Sequence, residues 1–218
     1  MPYKLMRLRK YYDSIRSNSS FNQAPLNQKI KILFNILRFL KTNLNNPIIV
    51  KNKPVIAQIE PTSECNLKCE MCIRKESGVP IGTMSFEDFK IILNKLDCLF
   101  KLHLSGQGEP FLNKDIFPMI DYANKRGMNV YFTSNGTRLT KSVIEKICEV
   151  NIGEIGISID STNKKTYEKI RKGAKFEKVL ENVKNLVEEL KNKNKRTIVS
   201  ITAVILKKNL DEISSISR

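Results

Sequence analysis

Cys65, Cys69 and Cys72 stand within the eight residues Cys65-Asn66-Leu67-Lys68-Cys69-Glu70-Met71-Cys72, directly after a strand-like run from Val55 to Glu60. Thiolates are soft ligands suited to iron–sulfur clusters, zinc or copper. Three of them on one loop can ligate three irons of a cubane and leave the fourth iron open to a small molecule. Ferredoxin-type runs supply four cysteines at other spacings. A structural zinc site also wants four ligands, commonly two close pairs or pairs completed by histidine. Here the fourth would have to be Cys98, Cys148 or His103, each inside a regular element rather than on a nearby loop. Zinc or another metal remains an alternative on residue types and spacing alone.

The elements that must position this loop alternate regularly. Strand-like runs at Val55–Glu60, Lys101–Ser105, Asn129–Ser134, Glu154–Asp160 and Thr197–Ile205 are separated by helical patterns at Ser85–Phe100, Asp115–Arg126, Lys141–Val150 and Lys164–Lys191. Ser85, with Asp88 three positions on, reads as an N-cap. Such an alternation predicts parallel β/α units. Along the strands, apolar residues (Val55, Ala57, Ile59; Leu102, Leu104; Ile155, Ile157, Ile159; Ile201, Ala203) alternate with a second set that turns polar or small toward the strand ends (Ile56, Gln58, Glu60; His103, Ser105; Gly156, Ser158, Asp160; Ser200, Thr202). Central strands of a doubly wound sheet are apolar on both faces. The alternation instead predicts a partial TIM-like (β/α) barrel: a curved sheet with helices outside and a polar inner face leading to a site at the C-terminal mouth.

This chain resembles the radical SAM superfamily, whose C-x3-C-x2-C signature follows the first strand of a β/α series. Four further motifs carry the resemblance in order. Gly108-Glu109-Pro110 follows the second strand, and Thr133-Ser134-Asn135-Gly136 ends the third. Ser158-Ile159-Asp160 ends the fourth, and Arg171 lies in the helix after it. The resemblance is strongest to the branch whose members often carry an additional C-terminal cluster-binding (SPASM-type) domain. It implies a [4Fe-4S] cluster on Cys65, Cys69 and Cys72, with S-adenosylmethionine (SAM) on its open iron. Gly108, Glu109 and Pro110 would receive the SAM amino group, Arg171 would pair with its carboxylate, and Ser158, Asp160 and Asn135 would bond carboxylate or ribose. Met71 would lie near the adenine. Electron transfer from the reduced cluster would give a 5′-deoxyadenosyl radical that takes hydrogen from a peptide or small-metabolite substrate. The electron would come from a reductant such as ferredoxin or flavodoxin. Three departures accompany the resemblance. Met71 replaces a common aromatic, Gln107 replaces a common glycine, and only five of an expected six β/α units are visible. A truncated, catalytically incomplete iron–sulfur protein is therefore an alternative.

Charge separates an N-terminal extension, residues 1–53, from the expected core at 54–218. The extension holds eleven basic side chains and one acid, a net +10 of the chain's +16. Such an arm suits nucleic acid (an RNA-directed member is one alternative), an anionic membrane surface or an acidic partner. Ser17–Ser20 reads as a loop. From Leu26 to Lys41 a helical pattern has a narrow polar stripe (Gln28, Lys31, Asn35, Arg38, Thr42), and its broad apolar remainder is expected to pack on the core. Five cysteines, no secretory signal and no apolar run long enough to span a bilayer fit a reducing cytoplasm. Cys98 and Cys148 are expected to be buried free thiols. His103 is expected to face the polar side of the sheet, and a helix is expected to begin after Leu210.

Overall fold

The structure is a computed structural model and describes residues 13–212 apart from Asn46, Ser77 and Val79. Five strands form one sheet in the order β1 (Ile56–Ile59), β2 (Lys101–Leu104), β3 (Asn129–Ser134), β4 (Glu154–Ser158), β5 (Ile198–Thr202). Every neighbouring pair is parallel. Strand order therefore equals chain order, as in a barrel segment; a doubly wound sheet would reverse direction partway. The register sets Gln58, His103 and Tyr131 in one row and continues it from Tyr131 to Glu154. Leu102, Leu104, Val130, Phe132, Ile155 and Ile157 point to the opposite face and are fully covered.

That apolar face is covered by α4 (Phe86–Lys95), α5 (Ile116–Lys125), α6 (Lys141–Glu149) and α8 (Phe176–Asn192). Their buried stripes, including Phe89, Leu93, Met119, Ile120, Ile144, Ile147 and Leu186, join the strands in one core. Ser85 caps α4 by accepting from the Asp88 N–H at 3.1 Å, as the sequence predicts. The long helical pattern of 164–191 is in fact two helices, α7 (Lys164–Ile170) and α8. Gly173 breaks it with φ +103°, a conformation that glycine alone adopts freely. β3 has the predicted bounds, whereas β1 and β4 stop short because Glu60 and Asp160 leave the ladder to bond loop backbone, and β5 ends at Thr202.

At the N-terminus two expectations are corrected. Ser17–Ser20 is not a loop: α1, described over residues 13–17, runs almost directly into α2 (Ser19–Gln23). Between them Asn18 caps α2, accepting from the Phe21 N–H at 3.1 Å and donating to the Gly127 carbonyl at 3.5 Å. Phe21 packs edge-on against Phe100, so tertiary contact fixes a segment whose composition reads as loop. The helix from Leu26 continues to Asn45 as α3, and only part of its apolar girth turns to the core: Ile32 and Ile36 are buried, with Phe39 and Leu40 beside them, whereas Leu26, Ile30, Leu33, Phe34 and Leu37 are exposed. Asn35 is buried, donating to the Lys53 carbonyl at 3.1 Å and accepting from the Lys53 N–H at 2.9 Å. Gln28 donates to the Asp97 carbonyl at 2.6 Å. Gln28 and Asn35 of the polar stripe face inward, because chain ends leading into β1 and β2 offer backbone groups that require partners, while Lys31 and Arg38 stay exposed. Ile32 and Ile36 complete the contact with Val55, Phe100 and Phe21.

Two smaller differences concern Cys98 and the C-terminus. Cys98 is partly exposed in the turn after α4, whereas Cys148 is buried. After Leu210 a 3-10 turn (Leu210–Glu212) forms, and residues 213–218 lie outside the described residues.

Candidate active site

β1 ends at Ile59, and the loop beyond it carries the three cysteines at the C-terminal end of the sheet. All three are free and half-buried. The loop is held on both sides. Leu67 is buried in the core. The Lys68 N–H donates to the Lys172 carbonyl at 2.9 Å, and the Glu70 N–H donates to the Ile170 carbonyl at 2.8 Å. Those two carbonyls are available because α7 ends at Ile170 and Gly173 turns the chain away. The break in the helical pattern is thus what docks the cysteine loop. On the other side Glu109 N–H donates to the Glu64 carbonyl at 2.7 Å. Gly108 lies so close that a Cβ would overlap the Thr62 and Glu64 carbonyl oxygens, which accounts for glycine at that position.

The sequence-singled residues divide into two groups. Glu109, Asn135 and Cys65 form one. Glu109 is almost fully buried; it accepts from the Ser134 hydroxyl at 2.8 Å and the Asn135 N–H at 2.7 Å. Burial raises its pKa, and the bonds from Asn135 and Ser134 oppose the rise. Asn135 in turn donates to Asn66 Oδ1 at 3.0 Å and lies 3.9 Å from the Cys65 sulfur. Glu109 therefore braces the end of β3 against the cysteine loop. Pro110 is buried and opens the 3-10 turn Pro110–Leu112. Met71 is half-buried between Glu70 and Cys72.

Asp160, Arg171 and Ser158 form the other group. Asp160 is fully buried and accepts from Arg171 Nε at 2.6 Å and from the Val204 N–H at 2.8 Å. Its carbonyl accepts from Asn209 Nδ2 at 2.5 Å. Ser158 lies 3.5 Å from the Thr202 hydroxyl on β5. The pair expected to touch SAM is thus first of all joined to itself. Sequence reasoning missed three contributors. Asn209 ties the C-terminal segment to Asp160, and Lys208 pairs with Glu70 between the second and third cysteines. Tyr167 is the third: its ring is fully buried, and its hydroxyl has no partner among the described residues. Burial pushes its pKa up to about 12, with Arg171, Asp160 and Cys69 among the charges around it. Its place one turn before Arg171 was the only signal in the sequence.

Glu60 also has a structural task, accepting from the Gln107 N–H at the turn before Gly108. His103 sits on the polar face of β2, 3.2 Å from the Ser105 hydroxyl, and burial lowers its pKa.

The donor set can be tested against a metal. Burial raises the Cys69 thiol, Arg171 opposes this, and Cys65 and Cys72 add to the rise, so the three thiols sense one another. Among the described residues no three His, Cys, Asp or Glu side chains converge on a point where one ion could sit. Three soft, electrostatically coupled thiols on one loop fit a cubane, which gives each thiolate its own iron.

Residues 59–218 match the radical SAM superfamily. The chain belongs to that superfamily, whose cofactors are a [4Fe-4S] cluster and SAM. Among curated relatives it is 31% identical, over 77% of its length and 47% of theirs, to an AdoMet-dependent heme synthase of Methanosarcina barkeri. It is 26% identical, over 73% of its length and 40% of theirs, to the mycofactocin maturase MftC of Mycolicibacterium smegmatis. Among solved structures, Streptococcus suis SuiB superposes with a TM-score of 0.64 at 19% identity, covering 84% of this chain and 39% of that one. The anSMEcpe structure with bound AdoMet gives 0.60 at 21%, covering 76% and 46%. The chain spans less than half the length of these relatives.

Proposed function

We propose that this chain is the core of a radical SAM enzyme, residues 54–218, preceded by an extension, in which Cys65, Cys69 and Cys72 hold the cluster. The observation that carries the reading is the double anchoring of the cysteine loop, to Ile170 and Lys172 on one side and to Glu109 on the other. Bound there and reduced, the cluster supplies the electron that splits SAM into methionine and a 5′-deoxyadenosyl radical. The protein's own residues orient the reactants. Gly108–Pro110 offer backbone to the SAM amino group, with Glu109 bracing that stretch from beneath. The Nε of Arg171 is committed to Asp160, which leaves its two terminal nitrogens for the SAM carboxylate. Ser158 and Asn135 flank the same space, and Met71 provides an apolar, polarisable neighbour for the adenine.

The substrate is a peptide or small metabolite with polar groups. Supporting this, the open face of the sheet presents Gln58, His103, Tyr131, Glu154 and Ser200, with Ile56 and Ile198 exposed beside them on the two edge strands. One relative is named a heme synthase and another a mycofactocin maturase. A ferredoxin or flavodoxin in a reducing cytoplasm is the fitting electron donor. The test is anaerobic reconstitution of the full-length protein with iron and sulfide, then dithionite and SAM. The wild type yields 5′-deoxyadenosine and Cys69→Ala yields none; equal yields would overturn the assignment.

A further inference from the structure

The inward turn of Asn35 leaves an unusual surface on the other side of α3. Leu26, Ile30, Leu33, Phe34, Leu37 and Leu44 recur at three- and four-residue steps, and all six are exposed, Leu26 at 73% and Leu37 at 63%. At 100° per residue they fall within an arc of about 100°. Ile48, Ile49 and Val50, in the segment after the helix, are exposed as well. Single exposed leucines are ordinary, but a contiguous apolar arc marks an interaction surface.

Charge selects the partner. From Ser14 to Ile59 the chain has seven Lys or Arg and not one Asp or Glu; Lys31 and Lys53 pair with Asp97, so Lys29, Arg38, Lys41 and Lys51 carry the argument. Lys29 and Arg38 border the arc, Lys41 lies within it near its C-terminal end, and Lys51 comes directly after the exposed Ile48–Val50. The Arg38 guanidinium sits 4.4 Å over the Phe34 ring, an aliphatic stem on the apolar face with its charged head at the edge. An apolar arc bordered by cations, without an acid, suits an anionic bilayer surface, where the arc enters the acyl boundary and the cations meet headgroups. α3 is not a spanning segment, since no described helix is long and apolar enough to cross a membrane.

We propose that the outer face of α3 docks the protein on anionic lipid. The helix is held by residues just before β1 and β2, at the end of the sheet opposite the cysteine loop. Docking there leaves the site directed away from the lipid. The inference is independent of the cluster chemistry.

Flotation of the full-length protein tests it, with vesicles of phosphatidylcholine alone or with about a third phosphatidylserine. Binding is expected only to the anionic vesicles and is weakened by salt. Phe34→Asp with Leu37→Asp, both on the exposed face, should lower the bound fraction on the order of tenfold or more while leaving thermal melting unchanged. Lys41→Glu with Lys51→Glu should weaken binding while leaving every apolar side chain of the arc in place, and serves if the first variant misfolds. No binding to either vesicle, or equal binding by both variants, would overturn the proposal. So would conversion of a dimer to monomer by Phe34→Asp, or occupation of the face by a further segment of the same chain. Binding of tRNA that depends on the lysines but not on Phe34 and Leu37, without vesicle binding, would assign the surface to nucleic acid instead.

Discussion

The Asp160 carboxylate and the Arg171 guanidinium meet at 2.6 Å, with the acid fully buried and the arginine nearly so. Arg171 closes α7, whose flanking carbonyls at Ile170 and Lys172 hold the cysteine loop. Asp160 ends the β4 segment and gathers the Val204 N–H and, through its carbonyl, Asn209. One ion pair therefore links β4, the chain after β5 and the cysteine loop. A buried charge left without its partner costs far more than the pair itself contributes.

Arg171→Ala is expected to destabilise the metal-free protein by about 3–5 kcal/mol. It should also speed hydrogen exchange at the Lys68 and Glu70 amides, which urea unfolding and exchange mass spectrometry would read separately. Destabilisation without faster exchange in that loop would dissociate the pair from loop anchoring.

Gly108→Ala places a methyl group against the Thr62 and Glu64 carbonyls, both backbone and unable to swing aside. A loss of about 1–3 kcal/mol or more is expected, with poorer retention of iron. Gly82→Ala is the control, because nothing lies within 4 Å of a Cβ there. Equal melting of the two variants would contradict the packing described.

On α3, the inverted packing predicts opposite effects for neighbouring residues. Asn35→Ala strips partners from the backbone of Lys53 and should cost about 1–3 kcal/mol. Leu37→Ala, on the exposed face, should stay within about 0.5 kcal/mol. The reverse order in thermal melts would restore the arrangement that the apolar girth suggested.

His103 is the single histidine, so its titration can be followed by NMR without assignment ambiguity. Its folded pKa is lowered by burial. Below the free value near 6.5 the unfolded chain takes up a proton that the folded chain resists. Stability from this group is therefore present above that value and is lost as pH falls through the window down to the depressed folded pKa. His103→Gln should flatten the pH dependence in that window; an unchanged slope would place its origin elsewhere.

The sequence was most informative where period and spacing carry the information. Alternation along the strands placed one face of the sheet against helices, and Gly108, Asn135 and Arg171 lie beside the cysteine loop, whereas Ser158 meets Thr202 on β5. It was least informative where long-range partners decide. Nothing local shows that Asn35 would satisfy the backbone of Lys53, so the broad apolar side of α3 looked like its buried side. Likewise, Gly173 in a helical pattern does not announce that the break offers two carbonyls to Lys68 and Glu70. Asn209 and Lys208 join the site only through the path of the chain after β5.

The central claim is that three thiolates leave one iron open for SAM. Hyperfine spectroscopy of the reduced, reconstituted full-length protein tests it directly, using SAM labelled at the amino nitrogen and the carboxylate oxygens. Coupling of both labels to the cluster in the wild type, and its loss in Cys69→Ala, is the expected result. A cluster signal that SAM leaves unchanged, as in a fully thiolate-capped electron carrier, would contradict it.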